Sequence, residues 1–291
     1  MSKTLVTGAS GHIGRKTLQK LLDRRPASDL VGLARDPEKA ADLAAQGIEI
    51  RQGDYLDQDS LLRAFTDVET LLLVPTHAFT DRNTQHINVI KAARQAGVQR
   101  LVYTPIIRPE DSQFVLQEVT KPDLFTLQEL EASGLTYTIA AHPPFTESMP
   151  FYIGENAFET GVRVPAGDGK AAWATRDDLA EAQAVILTEP GHENQTYALH
   201  GNQPVSFADV AGILSELHGA EVAYAPVTEE EYIDQSVANG LPEAAAGFAL
   251  GWARGINAGE WGNPSGDLEK LLGRTPTTVS AYLRDHYPTA Q

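Results

Sequence analysis

The sequence predicts an α/β fold: a doubly wound parallel sheet followed by a smaller, mainly helical C-terminal part. Three observations predict it. Short apolar runs alternate with helical segments from Thr4 to Ala141. A glycine-spaced turn joins the first run to the first helix. The alternation then stops after Pro143-Pro144. Strands that alternate with helices need a sheet covered on both faces, because each strand must bury two sides.

Each element follows from local pattern. Thr4–Thr7 reads as the first strand and Gly11–Arg25 as the first helix. Leu30–Ala34 and Glu49–Gln52 are the next strands, with helices over Pro37–Gln46 and Asp57–Phe65 behind them. The Leu/Val run Thr70–Val74 is closed by Pro75, as a buried strand should be. Asp81–Gly97 carries Ile87, Ile90 and Ala93 at helical spacing. Arg100–Thr104 and Thr136–Ala141 complete the sheet, the latter preceded by a helix that ends near Ser133-Gly134. Beyond this, isolated strands are expected at Val162–Val164, Thr196–Leu199 and Glu221–Ala225. Helices dominate at Arg176–Thr188, Ser206–Leu217, Glu229–Asn239, Pro242–Ala253 and Thr278–His286. Gly251–Gly266, rich in Gly and Asn, reads as a loop. The expected division is 1–148 for a nucleotide-binding domain and 149–291 for a smaller substrate-binding part.

Composition narrows the function. Net charge is −16 over 291 residues, and a surface this acidic repels nucleic acid and anionic lipid, so neither is expected as a partner. No apolar run reaches the roughly 20 residues of a membrane helix. The start of the chain shows no secretory pattern, which with the absence of cysteine leads to a cytoplasmic expectation. Without cysteine there is no disulfide, thiolate metal site or cysteine nucleophile. The eight histidines never fall four apart around a glutamate, so no metal is expected.

Gly8-Ala9-Ser10-Gly11-His12-Ile13-Gly14 lies between the first strand and the first helix. The first glycine permits the tight turn, the second lets backbone approach a pyrophosphate, and the third lets helix pack on strand. Helix N–H groups and the positive dipole end then face the phosphates. This predicts a Rossmann dinucleotide site involving Thr7, Gly8, Ser10, Gly11, His12 and Ile13. Cofactor choice is read after the second strand. Arg35 stands there and favours the 2′-phosphate of NADPH, with NADH the less favoured cofactor. Asp36 as a ribose ligand for NAD is the competing reading. Asp54 fits the adenine edge or an ordinary Asx turn.

These stretches together resemble the NmrA-like group of atypical short-chain dehydrogenases/reductases. The likeness is to its NAD(P)H:quinone reductases and its triphenylmethane-dye and azo-dye reductases. Thr4–Gly14, Ala34-Arg35-Asp36-Pro37-Glu38-Lys39 and Gly53-Asp54-Tyr55 carry it. So do Gln85-His86-Ile87-Asn88-Val89-Ile90-Lys91-Ala92-Ala93 and Thr175-Arg176-Asp177-Asp178-Leu179-Ala180. The resemblance implies that Val74, Pro75 and Thr76 pass under the nicotinamide ribose, with Thr104 nearby. It also implies that His142, Pro143, Pro144 and Phe145 flank the nicotinamide.

The departures concern chemistry. None of the nine tyrosines has a lysine four residues on, so the short-chain enzymes' usual acid is missing. Where the branch carries a His-x-x-(T)-E sequence, this chain has Asp123-Leu124-Phe125-Thr126-Leu127. Its strand five ends Tyr103-Thr104-Pro105 in place of Tyr-Thr-Ser. His142 is a candidate proton or hydrogen-bond donor, or a residue that orients its loop. Lys121 is a candidate to polarise a carbonyl, or a solvated cation. The expected activity is hydride transfer from NADPH to a small conjugated electrophile: a quinone, azo compound, dye, imine or carbonyl. The alternative is a non-catalytic NAD(P)-binding redox sensor. Monomer and homodimer both remain open.

Overall fold

The computed structural model describes residues 3–154 and 156–287. The chain divides into two compact units. The first comprises Met1–Ile106, Glu118–Ala141 and Arg176–Tyr197; the second comprises Ile107–Gln117, His142–Thr175 and Ala198–Gln291. The division is interleaved, so a single cut at 148/149 does not describe it.

In the first unit the elements run β1 (Lys3–Thr7), α1 (His12–Leu22), β2 (Leu30–Ala34), α2 (Ala41–Ala45), β3 (Glu49–Gln52) and α3 (Gln58–Ala64). They continue with β4 (Val68–Leu73), α4 (Arg82–Ala96), β5 (Arg100–Tyr103), α5 (Thr120–Ser133) and β6 (Thr136–Ala141). The sheet order is β3-β2-β1-β4-β5-β6, with the strand Thr196–Ala198 beside β6 at the edge. β1 to β6 pair in parallel. The expected doubly wound sheet is therefore borne out. Strand order reverses between β1 and β4, and at such a switch point the carboxyl ends of the strands open a crevice for ligand.

The sheet core is Leu5, Val6, Leu71, Leu72, Leu73, Leu101 and Val102, all fully buried. Burying such side chains on both faces stabilises each by about 1.5–3 kcal/mol. α1 presents Ile13, Thr17, Leu18 and Leu21 to the interior. Its neighbour is the helix Arg176–Thr188, and the Thr17 hydroxyl donates to Gln183 Oε1 at 2.6 Å in a buried contact. Lys20 meets Asp177 at 2.7 Å along the same pair of helices. This helix was expected in the second part, but its packing on α1 makes it part of the first unit.

In the second unit the strands Lys170–Ala171 and Val205–Ser206 pair antiparallel. Tyr152, Trp173 and Phe207 form an edge-on aromatic cluster. Trp261 is buried, and its indole N–H donates to Ile107 O at 3.0 Å. Three expectations need correction here. Val162–Val164 and Glu221–Ala225 form no strands, only a single bridge from Val162 to Tyr224. The segment read as a loop from Gly251 is helical to Asn257, within the helix Glu243–Asn257. Thr196–Ala198 is not isolated; it extends the main sheet. Among the described residues, no helix is long and apolar enough to cross a membrane.

Candidate functional site: the carboxyl edge of the parallel sheet

The glycine turn follows β1 directly. Gly8 has φ +65°, a left-handed conformation that a side chain resists. Gly11 is the N-cap of α1 and donates its N–H back to Gly8 O at 2.9 Å. No side chain caps this helix, and its first turn carries no acidic residue. The first-turn N–H groups are thus left to a ligand, with the positive dipole end undiminished. A Cβ on Gly11 would meet only Gly8 O, at 3.3 Å. On Gly14 it would fall 2.4 Å from Gly8 O and 2.6 Å from Thr7 O. Gly11 therefore faces outward, and Gly14 is the close-packing glycine. Ser10 and His12 are exposed, and Ile13 is buried beneath the turn. Thr7 is fully buried; its Oγ1 accepts the N–H of Val74 at 2.9 Å.

At the ends of β2 and β3, Arg35 is exposed and its guanidinium makes no hydrogen bond or ion pair among the described residues. Asp36 is committed elsewhere, capping the short turn Pro37–Ala40 by accepting from Glu38 N–H at 3.2 Å. Arg15 of α1 donates to Lys39 O at 2.5 Å and pairs with Asp42, which fixes the segment beyond Arg35. Asp54 Oδ1 accepts from Leu56 N–H at 2.9 Å, so the Asx-turn reading of Asp54 describes that oxygen.

The ends of β4 and β5 hold the part that sequence reasoning missed. Both backbone groups of Val74 go to side chains: its N–H to Thr7, its carbonyl to the Tyr55 hydroxyl at 3.1 Å. Burial pushes the Tyr55 phenol well above its usual range, so it stays protonated and donating. Thr76 donates its hydroxyl to Gln85 Oε1 at 2.7 Å, and its N–H lies 3.2 Å from His86 Nε2. His86 Nδ1 lies 2.9 Å from Thr126 Oγ1 on α5. One turn away, Arg82 of α4 pairs with Asp123 of α5 at 2.6 Å, with both side chains about 5% exposed or less. Asp123 also accepts from the Tyr103 hydroxyl at 2.8 Å and from Ile106 N–H at 2.9 Å. Burial raises the Asp123 carboxyl, and Arg82 with these two donors opposes the rise. Burial and then the Asp123 charge push the Tyr103 phenol well up. Tyr103 is therefore spent on Asp123 and holds its proton. Thr104 is different: it is 4% exposed, and its Oγ1 has no partner among the described residues. A buried hydroxyl left unpaired costs about 1–3 kcal/mol, and here it stands at the carboxyl end of β5. Polar residues at helical spacing were the available signal: Arg82 and His86 on α4, Asp123 and Thr126 on α5.

Pro75 follows β4 and is half-buried. Lys121 lies in the first turn of α5 with its side chain exposed. His142, Pro143, Pro144 and Phe145 belong to the second unit. There His142 is buried and packs edge-on to Phe145, ring centroids 5.7 Å apart. Its carbonyl accepts from Ile107 N–H at 2.8 Å. Burial pulls the His142 imidazole down to about 3, so it is neutral at neutral pH.

An uncapped helix behind a left-handed glycine, a free arginine past β2 and an orphan hydroxyl past β5 together fit a phosphorylated dinucleotide. The comparisons agree. The NAD(P)H-binding family profile matches residues 8–190. Quinone oxidoreductase 2 of Escherichia coli (strain K12) is 35% identical over 276 residues, covering 94% of this chain and 95% of that protein. An NAD(P)H azoreductase of Xenophilus azovorans is 30% identical over 243 residues, covering 83% of each chain. The crystal structure of Citrobacter sp. triphenylmethane reductase complexed with NADP(H) superposes with a TM-score of 0.91 at 36% identity. That match covers 98% of this chain and all of that one. The resemblance read from the sequence is borne out by these relatives.

Proposed function

The chain belongs to the NAD(P)H-binding family, and on that premise we propose that it is an NADPH-dependent reductase of small conjugated electrophiles. Quinones, azo compounds and cationic dyes are the acceptor class, in keeping with what the named relatives reduce. The observation that carries the reading is the uncapped, acid-free N-terminus of α1 behind Gly8 and Gly11. Gly8, Ser10, Gly11, His12 and Ile13 would offer N–H groups to the pyrophosphate. Arg35, unpaired and exposed, would take the 2′-phosphate. Asp54 keeps one carboxylate oxygen for the adenine edge. Thr7 holds Val74, and Val74, Pro75, Thr76 and Thr104 would serve the nicotinamide ribose side. His142, Pro143, Pro144 and Phe145 are assigned to the nicotinamide on the resemblance alone.

When bound, the cofactor supplies a hydride. The chain's own contribution is orientation and the exclusion of water. None of the three candidates is set up as an obligatory acid. His142 is neutral, Tyr103 is bonded to Asp123, and Lys121 is exposed. A quinone takes its protons from solvent after hydride transfer, as the hydroquinone anion leaves the site, and a cationic dye needs none.

The test is NADPH oxidation with a panel of a quinone, an azo dye and a triphenylmethane dye, followed by product analysis. NADPH consumption should be one per quinone or triphenylmethane dye reduced, and two per azo dye cleaved to its amines. His142→Ala and Lys121→Ala should each lower kcat less than about tenfold, below the ~10²–10⁴ range of an obligatory acid. Binding of NADPH with no turnover on any acceptor would leave a sensor and overturn the enzyme reading. A thousandfold loss in either variant, with NADPH affinity intact, would overturn the acid-free mechanism.

A further inference from the structure

His86 sits where three elements meet, and both of its ring nitrogens are accounted for. The N–H of Thr76 can only donate, so Nε2, 3.2 Å away, accepts. The Thr126 hydroxyl donates to Pro122 O at 2.8 Å, so its oxygen is left to accept from His86 Nδ1–H at 2.9 Å. The ring is thereby fixed as the neutral Nδ1–H tautomer. Burial, with the Arg82 charge behind it, pulls this imidazole down to about 3, in keeping with a ring that stays neutral. A directed chain results: Thr76 N–H to His86, His86 to Thr126, Thr126 to the Pro122 carbonyl. It ties the residue just past β4 to the first turns of α5.

Gln85 and Asn88 on α4 act on the same edge. Gln85 Oε1 accepts the hydroxyls of Thr76 and Thr80, at 2.7 and 2.8 Å, and Asn88 Nδ2 donates to Tyr55 O at 2.9 Å. One turn before His86, Arg82 holds Asp123, whose other oxygen accepts the N–H of Ile106 past β5. α4 and α5 therefore reach back to the ends of both strands. Of these groups, His86 alone takes the backbone of the Pro75-Thr76 turn.

From this we propose that His86 is a positioning residue for hydride transfer: through its Nε2 it sets the Pro75-Thr76 turn against the nicotinamide ribose. The proposal rests on the reading above that this turn serves that ribose. It assigns His86 no contact with the reacting atoms. It gives the residue a direction of action, since the Nε2 bond orients the turn and the Nδ1 bond only holds the ring.

The two conservative amides separate these bonds. Asparagine places its terminal group near the Nδ1 position and glutamine places its own near Nε2. His86→Gln keeps an acceptor for Thr76 N–H and gives up Thr126. His86→Asn keeps a donor for Thr126 and releases Thr76. Single-turnover hydride transfer to a soluble quinone would be followed in both, with NADPH deuterated at the transferred position. NADPH affinity is read by calorimetry and stability by thermal melting. His86→Gln should retain the wild-type rate within about threefold. His86→Asn should lose roughly 30–100-fold, the scale of a displacement on the order of 1 Å. Its NADPH affinity should change far less than its rate. Equal rates in the two variants at similar melting temperatures would overturn the proposal. If either variant fails to fold, ¹⁵N spectra of the wild-type histidines decide. A neutral Nδ1–H ring at neutral pH, with shifts that respond to NADPH, supports the proposal. A protonated or Nε2–H ring, or one unmoved by NADPH, overturns it. Wild-type protein that binds no NADPH at all would instead overturn the reading on which the proposal rests.

Discussion

Two glycines of one turn should fail in opposite ways when replaced. Gly14→Ala puts a Cβ 2.4 Å from Gly8 O, 2.6 Å from Thr7 O and 2.7 Å from Gly8 C. All three partners are backbone, so none can rotate away. To restore van der Waals contact, α1 must lift by about 1 Å from a turn it packs against. Overpacking costs about 1–3 kcal/mol, and rigid partners place this case near the top, at ~3 kcal/mol. At roughly 2–4 °C per kcal/mol, the melting temperature should fall by about 6–12 °C. Gly11 has extended backbone, φ −92° and ψ 175°, and a Cβ there meets only Gly8 O. Gly11→Val should melt within about 2 °C of wild type yet lose at least about 100-fold in NADPH affinity, or ~2.7 kcal/mol. Circular-dichroism melting and NADPH calorimetry below the transition measure both effects. A Gly14→Ala protein that melts like wild type would refute the packing argument. A Gly11→Val protein with undiminished affinity would refute the placement of the pyrophosphate.

Arg35→Ala should lower NADPH affinity about tenfold or more and leave NADH nearly unchanged, because only NADPH offers the 2′-phosphate. Equal losses for both cofactors in parallel titrations would remove Arg35 from the discrimination. Acid should destabilise the fold through His86 and His142, each held near 3 by burial against an ordinary value of 6.5. Folded imidazoles refuse protons that the unfolded chain accepts, so stability is full above 6.5 and falls as the pH drops toward 3. Between pH 7 and 5 each should cost about 2 kcal/mol, read as a falling urea midpoint. If replacing His142 by Gln leaves that slope unchanged, the histidine is not its source.

Much of the first unit could be read from pattern, because its strands are apolar runs bounded by turn residues and its glycines fall at fixed spacing. The cross-helix contacts could not. Arg82 and Asp123 are 41 residues apart, as a buried pair joining two helices, and neither residue's neighbours announce the other. Asp123 looked like the loss of a family histidine, whereas it binds Arg82, Tyr103 and Ile106. The misread loop at Gly251 has a steric cause. A Cβ on Gly255 would fall 2.6 Å from the Trp261 ring and 2.9 Å from Phe114, and one on Gly251 would fall 3.1 Å from Leu116. These glycines make room for large neighbours within a helix. Composition alone made them look like breakers.

The bond from Thr17 to Gln183 spans 166 residues, and it lies under the helix that carries the glycine turn. On the ribosome, α1 emerges early and must wait for Arg176–Thr188 before the side that carries Thr17 and Lys20 meets its partner. Any nascent chain shorter than that leaves Thr17 without Gln183, and Lys16 and Lys20 without Asp177. Ligand competence should therefore arrive late in synthesis and all at once, and a fragment ending near residue 148 should not acquire it. Stalled chains of increasing length would show dinucleotide binding only after this last helix has cleared the exit tunnel.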